Sequence, residues 1–185
     1  MSSLESLAED LPPLTANGHP PVHLWQPKYQ GEIDIVIQRD GSWLHEGGLI
    51  KREALVKLFA SVLWFEDGEH YLKTPAEQMK ITVETTPFLI TKLTVQNSDT
   101  PQQELVLTSS YGDVIVLGEQ NPLWLDKSIM QGQEVPLVRI RYGMSGRLTS
   151  SILHELADLG EVVSDDKGDY LRLTSNSYTV DLLIA

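Results

Sequence analysis

Gly31-Glu32-Ile33-Asp34-Ile35-Val36-Ile37-Gln38-Arg39-Asp40-Gly41-Ser42-Trp43-Leu44 is the stretch that decides the fold. Ile33, Ile35 and Ile37 alternate with Asp34, Val36 and Gln38, which is the two-residue period of a half-buried strand. Arg39-Asp40-Gly41-Ser42 carries the turn chemistry of a hairpin, so Trp43-Leu44 starts the return strand. After Gly47-Gly48 the period changes. Leu55, Leu58, Phe59, Val62 and Leu63 follow the i, i+3, i+4, i+7, i+8 spacing of one apolar helix face.

Downstream, Glu66-Asp67-Gly68-Glu69 reads as a turn, and strand patterns follow over residues 71–73, 80–84, 88–95, 104–108 and 113–117. Turn clusters such as Asn97-Ser98-Asp99-Thr100-Pro101 separate them. Residues 136–142 form a further strand. Leu148, Ile152, Leu156 and Leu159 mark a second helix, with Thr149, Ser150 or Ser151 at its N-cap, and strands over 170–174 and 178–184 finish the chain. The expected class is α+β, in two halves that are each a mostly antiparallel sheet packed with a helix. The halves are residues 25–86 and 87–185. They follow an N-terminal arm, residues 1–24, with a short leucine-striped helix over residues 2–10 and then a proline-broken segment. Each half also sends its helix through an acidic turn into a Tyr-Leu-basic strand, at Tyr71-Leu72-Lys73 and Tyr170-Leu171-Arg172. That likeness fits either an ancient duplication or the ordinary grammar of α+β units.

The chain has 185 residues, 41% hydrophobic and 22% charged, enough to bury a core in one large or two small domains. No apolar run reaches the ~20 residues of a membrane span, and the N-terminus has no signal-peptide pattern, so a cytoplasmic protein off the membrane is expected. The absence of cysteine excludes disulfides, thiolate metal sites and cysteine nucleophiles. A net charge of −12 argues against a nucleic-acid polymer as partner. A small anion feels the local field more than the total charge and is compatible with it.

Catalytic patterns are missing. There is no Walker loop, and Gly143-Met144-Ser145-Gly146 has the wrong spacing for a nucleophile elbow. His19, His23, His45, His70 and His154 lack metal-ligand spacing, and the acidic pairs Glu66-Asp67 and Asp165-Asp166 read as solvated turns. The expectation is a protein with no catalytic residues, no metal and no cofactor.

One local feature carries a hypothesis. Residues 135–154 contain no acid in a chain with 26 of them, yet hold Arg139, Arg141 and Arg147. Arg139 and Arg141 are two apart, which on a regular strand places them on one face. With Ser145 and the backbone of residues 143–146 leading into a helix N-terminus, they outline an anion site for phosphate. The plain alternative has Arg139 and Arg141 lining an exposed sheet face and pairing with local acids, and Arg147 merely opening the helix.

Trp25-Gln26-Pro27, the Gly31-Glu32-Ile33-Asp34 run, Arg52-Glu53-Ala54-Leu55-Val56-Lys57-Leu58-Phe59 and Tyr71-Leu72-Lys73-Thr74-Pro75-Ala76-Glu77 together resemble the bacterial domain-of-unknown-function 1285 family. Ile81-Thr82-Val83-Glu84-Thr85-Thr86-Pro87-Phe88 extends the match, and Val138-Arg139 and Arg147 carry it into the second half. Ser175-Asn176-Ser177-Tyr178 departs from the family by lacking a glycine. The resemblance implies two related halves, the second faintly similar to pleckstrin-homology domains, and a nucleotide-type signal held where the halves meet. Arg52, Lys73, Thr74 and Glu77 would complete such a site, and Trp25 or Trp43 could stack on a base. Expected partners are a nucleotide-type small molecule in bacterial signal transduction or, as the alternative, a protein docked by an adaptor.

Overall fold

The period-two isoleucines do what their spacing predicts. In the computed structural model, which describes residues 19–183, β1 (Tyr29–Ile37) buries Ile35 and Ile37 completely and leaves Asp34 exposed. β2 (Trp43–His45) returns antiparallel with Trp43 opposite Ile37, and β3 (Gly48–Leu49) extends the meander. The chain divides into two compact units, one ending at Thr85 and the other starting at Thr86.

The first unit continues through α1 (Glu53–Ser61), β4 (Leu63–Glu66), β5 (Glu69–Lys73) and β6 (Glu77–Val83). Its six strands lie in the order β3-β2-β1-β6-β5-β4, antiparallel except for the central β1–β6 pair. Trp43 and Phe59 stack in the core at 6.3 Å between centroids, both essentially inaccessible. Burying each such side chain stabilises the unit by roughly 1.5–3 kcal/mol. The expected role for Trp43 as a base-stacking platform is therefore corrected: its ring is core.

The first helix is shorter than its apolar spacing predicts. It stops at Ser61, and Leu63 is already in β4. Val62-Leu63-Trp64-Phe65 is a β-branched and aromatic run that suits a strand, and Asp67-Gly68 closes a two-residue hairpin onto β5 with both residues at positive φ. The ladder formed through that turn outcompetes another helical turn.

The second unit contains β7 (Phe88–Gln96), β8 (Glu104–Ser109), β9 (Val114–Val116), β10 (Leu123–Met130), β11 (Gln133–Arg141) and β12 (Met144–Leu148). α2 (Ser150–Leu159) and a separate antiparallel sheet of β13 (Glu161–Asp165), β14 (Gly168–Ser175) and β15 (Tyr178–Leu183) follow. The six-stranded order is β10-β11-β12-β7-β8-β9, antiparallel apart from β12–β7. Ile90, Leu107, Val138 and Leu148 from this sheet pack with Ile152 and Leu156 of α2 and with Leu171, Leu173 and Leu182 of the small sheet.

Both large sheets follow one plan, two three-stranded meanders joined by a parallel pair of their first and last strands. The helix differs: it lies between the meanders in the first unit and after them in the second. The Tyr-Leu-basic likeness does not follow this plan. Tyr71-Leu72-Lys73 lies in β5 of a large sheet, whereas Tyr170-Leu171-Arg172 lies in β14 of the small one. The class is α+β, mostly sheet with one helix per unit.

Of the expected arm, residues 1–18 and with them the helix over 2–10 lie outside the described residues, as does the end of the last strand at residue 184. Residues Val22–Leu24 form a single 3-10 turn with Val22 fully buried. Among the described residues no helix is long and apolar enough to cross a membrane.

Candidate functional site

The basic stretch is a β-hairpin rather than a strand delivered to a helix. Arg141 pairs with Met144, so Tyr142-Gly143 is a two-residue loop, and its φ values of 50° and 78° match the mirror-image turn that fits strand twist. The expected flexible turn over residues 143–146 is thus corrected, since Met144, Ser145 and Gly146 are strand. α2 begins only at Ser150, after Thr149, whose side chain does not cap it and whose N–H donates to the Ile90 carbonyl at 3.2 Å.

A bulge then separates two arginines expected on one face. The register runs Leu137 opposite Arg147, Val138 opposite Gly146, Arg139 opposite Ser145, and then Arg141 opposite Met144. Two steps on β11 correspond to one on β12, so Arg139 shares a face with Ser145 while Arg141 shares the other with buried Met144. The same-face expectation for Arg139 and Arg141 fails because it assumed an unbroken period of two.

Arg141 is committed where it lies. Its Nε donates to Asp113 Oδ1 at 2.9 Å, with the two side chains 12% and 5% exposed. Its guanidinium sits 5.1 Å from the Phe88 ring centroid and 5.9 Å from that of Tyr142. Asp113 is held in turn by the β8–β9 turn: Ser109 Oγ donates to Asp113 Oδ2 at 2.6 Å, and the Asp113 N–H donates back to Ser109 Oγ at 3.0 Å. Tyr111 of the same turn meets Phe88 edge-on. This knot closes one end of the sheet and leaves Arg141 little freedom to grip a ligand.

Arg139, Ser145 and Arg147 do come together. Ser145 is directly opposite Arg139, and Arg147 is two residues along the same strand on the same face. Such positions are about 5 Å apart across the pair and about 7–8 Å apart on the diagonal, a span that one phosphate and its sugar can bridge. Arg139 is exposed, and its side chain makes no hydrogen bond or ion pair among the described residues. Asn121 donates to the Arg139 carbonyl at 3.0 Å and fixes that end of β11. Trp124, half-buried on β10 opposite Leu137, stands in the same cross-strand row as Arg147. Trp124, Asp113 and Ser109 were not among the residues expected at a site.

The residues expected from the first half play other parts. Thr74 is fully buried, and its Oγ1 accepts from the N–H groups of Ala76 and Glu77 at 3.1 and 3.0 Å. The Thr74 N–H donates to the Glu77 carbonyl at 2.8 Å, so Thr74 and Glu77 lock the β5–β6 turn. Lys73 is buried with Nζ 4.2 Å from the centre of the Trp64 ring. Burial holds its pKa below the usual lysine value, against the pull of Glu66. Arg52 is exposed at the N-cap of α1 without capping it through its side chain, and Trp25 is half-buried just past the 3-10 turn. Among the described residues no group of three or more histidine and carboxylate side chains could hold a metal ion.

Comparison with known proteins agrees across the chain. The model described as "Domain of unknown function (DUF1285), N-terminal domain" matches residues 20–86, and that of "Protein of unknown function (DUF1285), C-terminal domain" matches residues 87–182. A solved structure of a DUF1285 family protein from Silicibacter pomeroyi DSS-3 is 34% identical, covers 99% of this chain and 96% of its own, and superposes with a TM-score of 0.85. A second, from Shewanella baltica OS155, is 23% identical with a TM-score of 0.51 over 67% of this chain and 90% of its own; it shares the fold. No curated protein matches the chain.

Proposed function

This chain belongs to the DUF1285 family, and from that premise we propose that it is a non-catalytic protein that binds a phosphate-bearing, nucleotide-type ligand in bacterial signalling. The observation that carries the reading is the register of β11 on β12, which sets Arg139 across from Ser145 and one diagonal step from Arg147. Two guanidinium groups flanking a hydroxyl offer charge-assisted, directional hydrogen bonds to phosphate oxygens. Trp124 lies along the same face and supplies an aromatic surface for a base. Arg141 is left out of the ligand set because Asp113 already neutralises it. A cytoplasmic location and a pleckstrin-homology-like character of the second unit belong to the same proposal.

The test is a thermal-unfolding screen against nucleotides, cyclic dinucleotides and sugar phosphates. A ligand at ~100 times its Kd stabilises the folded state by roughly 2.7 kcal/mol and raises the midpoint by about 5–10 °C. Arg139→Ala and Arg147→Ala should each remove the shift. A flat panel would overturn the reading and return the assignment to a protein-interaction adaptor.

A further inference from the structure

Among the described residues β9 is an unpaired edge of the second large sheet. The Leu117 N–H donates to the Leu105 carbonyl and the Ser109 N–H to the Asp113 carbonyl, both at 2.9 Å, so odd-numbered residues face β8 in the ladder. By the alternation of an antiparallel pair, Val114 and Val116 turn their N–H and C=O groups outward. Their side chains are 70% and 41% exposed, while Ile115 between them is buried. The strand carries none of the lysine, proline or bulge with which exposed edges are commonly blunted.

From Val116 the edge continues into a groove of about 360 Å³, lined among others by Glu104, Glu119, Asn121, Asn176 and Tyr178. Both charged residues that line it, Glu104 and Glu119, are acidic. Between Lys92 and Lys127 there is no lysine or arginine, whereas Asp99, Glu104, Asp113, Glu119 and Asp126 all fall there, and of these, among the described residues, only Asp113 is paired with an arginine.

We propose that the β9 edge and this groove dock an extended basic segment of a partner protein as an added antiparallel strand. Val114 and Val116 supply the backbone hydrogen bonds and an apolar contact, and Glu104 and Glu119 receive a lysine or arginine of the segment. A second copy of this chain is disfavoured as occupant because each copy brings the same acidic surface and a net charge of −12. The pairing edge lies on β9 and Arg139 and Arg147 on β11 and β12, so failure of the phosphate site leaves the edge pairing intact, although Asn121 of the groove also donates to the Arg139 carbonyl.

The test uses the full chain and a fluorescent peptide of alternating lysine and valine, with a glutamate–valine peptide as control, read by anisotropy and by amide hydrogen exchange. The expected result is binding of the basic peptide that weakens with salt, with slower exchange at the Val114 and Val116 amides. Val116→Pro removes an outward N–H that β8 does not use, so it should abolish binding without unfolding the sheet; Val116→Thr, which keeps the N–H, should bind within about threefold. Glu104→Lys with Glu119→Lys should cost at least about tenfold. Equal binding of the glutamate peptide, unchanged exchange at both amides, or no binding at all would overturn the proposal. Concentration-dependent dimerisation removed by Val116→Pro would also overturn it, in favour of pairing between copies.

Discussion

Arg141 and Asp113, 28 residues apart in sequence, form an ion pair at 2.9 Å that is nearly sealed from solvent and shared with Ser109. A buried pair of this kind contributes little net stability over an apolar replacement, yet breaking it from one side strands a charge. Asp113→Ala and Arg141→Met should each destabilise the second unit by about 3–5 kcal/mol, measured by urea unfolding. The double variant Asp113→Leu with Arg141→Met should cost less than the sum of the single changes. Additive effects, or single losses below about 1 kcal/mol, would show that the pair is solvated in solution.

Gly146 is required by packing, not by backbone conformation. A Cβ built there would lie 2.7 Å from Ile140 Cδ1, 3.2 Å from Ile90 Cδ1 and 3.3 Å from Phe88 Cβ. Phe88 and Gly146 are register partners on the parallel strands β7 and β12, so that neighbour cannot retreat without moving the central ladder. Gly146→Ala is expected to destabilise by about 1–3 kcal/mol. If the chemical denaturation midpoint stays within error of the parent, Ile140 has absorbed the methyl by changing rotamer.

The sequence made the first hairpin and the cores of both helices legible, because Ile35, Ile37, Phe59, Ile152 and Leu156 keep clean periods and all are buried. β4, β10, β12 and β13 were not legible. Three of them abut two-residue loops with positive φ, at Asp67-Gly68, Gln131-Gly132 and Tyr142-Gly143, and in the last two the first residue is not a usual turn former. The same blindness affected the basic stretch. Its arginines were visible, but the bulge that sends Arg141 to the opposite face from Arg139 leaves no mark in a single sequence. Asp113 as the partner of Arg141 is a long-range contact that local spacing cannot show.

The last turn of the chain is built on asparagine instead of glycine. Asn176 takes φ 53° in the loop between Ser175 and Tyr178, a conformation that asparagine tolerates better than most residues. Asn176→Gly should leave stability unchanged or raise it by a few tenths of a kcal/mol, whereas Asn176→Val should cost about 1 kcal/mol or more. Thermal midpoints of the two variants decide it; equal midpoints would mean that the loop rearranges.

His70 makes the first unit sensitive to acid. It lies on β5 with its ring 4.8 Å from that of Phe65, and burial pushes its pKa down to about 4, with Glu69 opposing the shift weakly. A histidine kept neutral in the fold binds its proton more readily once unfolded, where its pKa is about 6.5. The unfolded chain therefore holds more protons between these two values, and stability falls as pH drops from about 6.5 towards 4. By pH 5 the loss should be about 2 kcal/mol relative to pH 7.5. Carboxylates titrate in the lower part of this window too, so the measurement is a difference. Urea midpoints of the parent and of His70→Gln, followed from pH 7.5 to 4.5, should diverge below pH 6.5, with the parent losing more. Curves that run parallel through the window would mean that the imidazole reaches water and titrates as an exposed group.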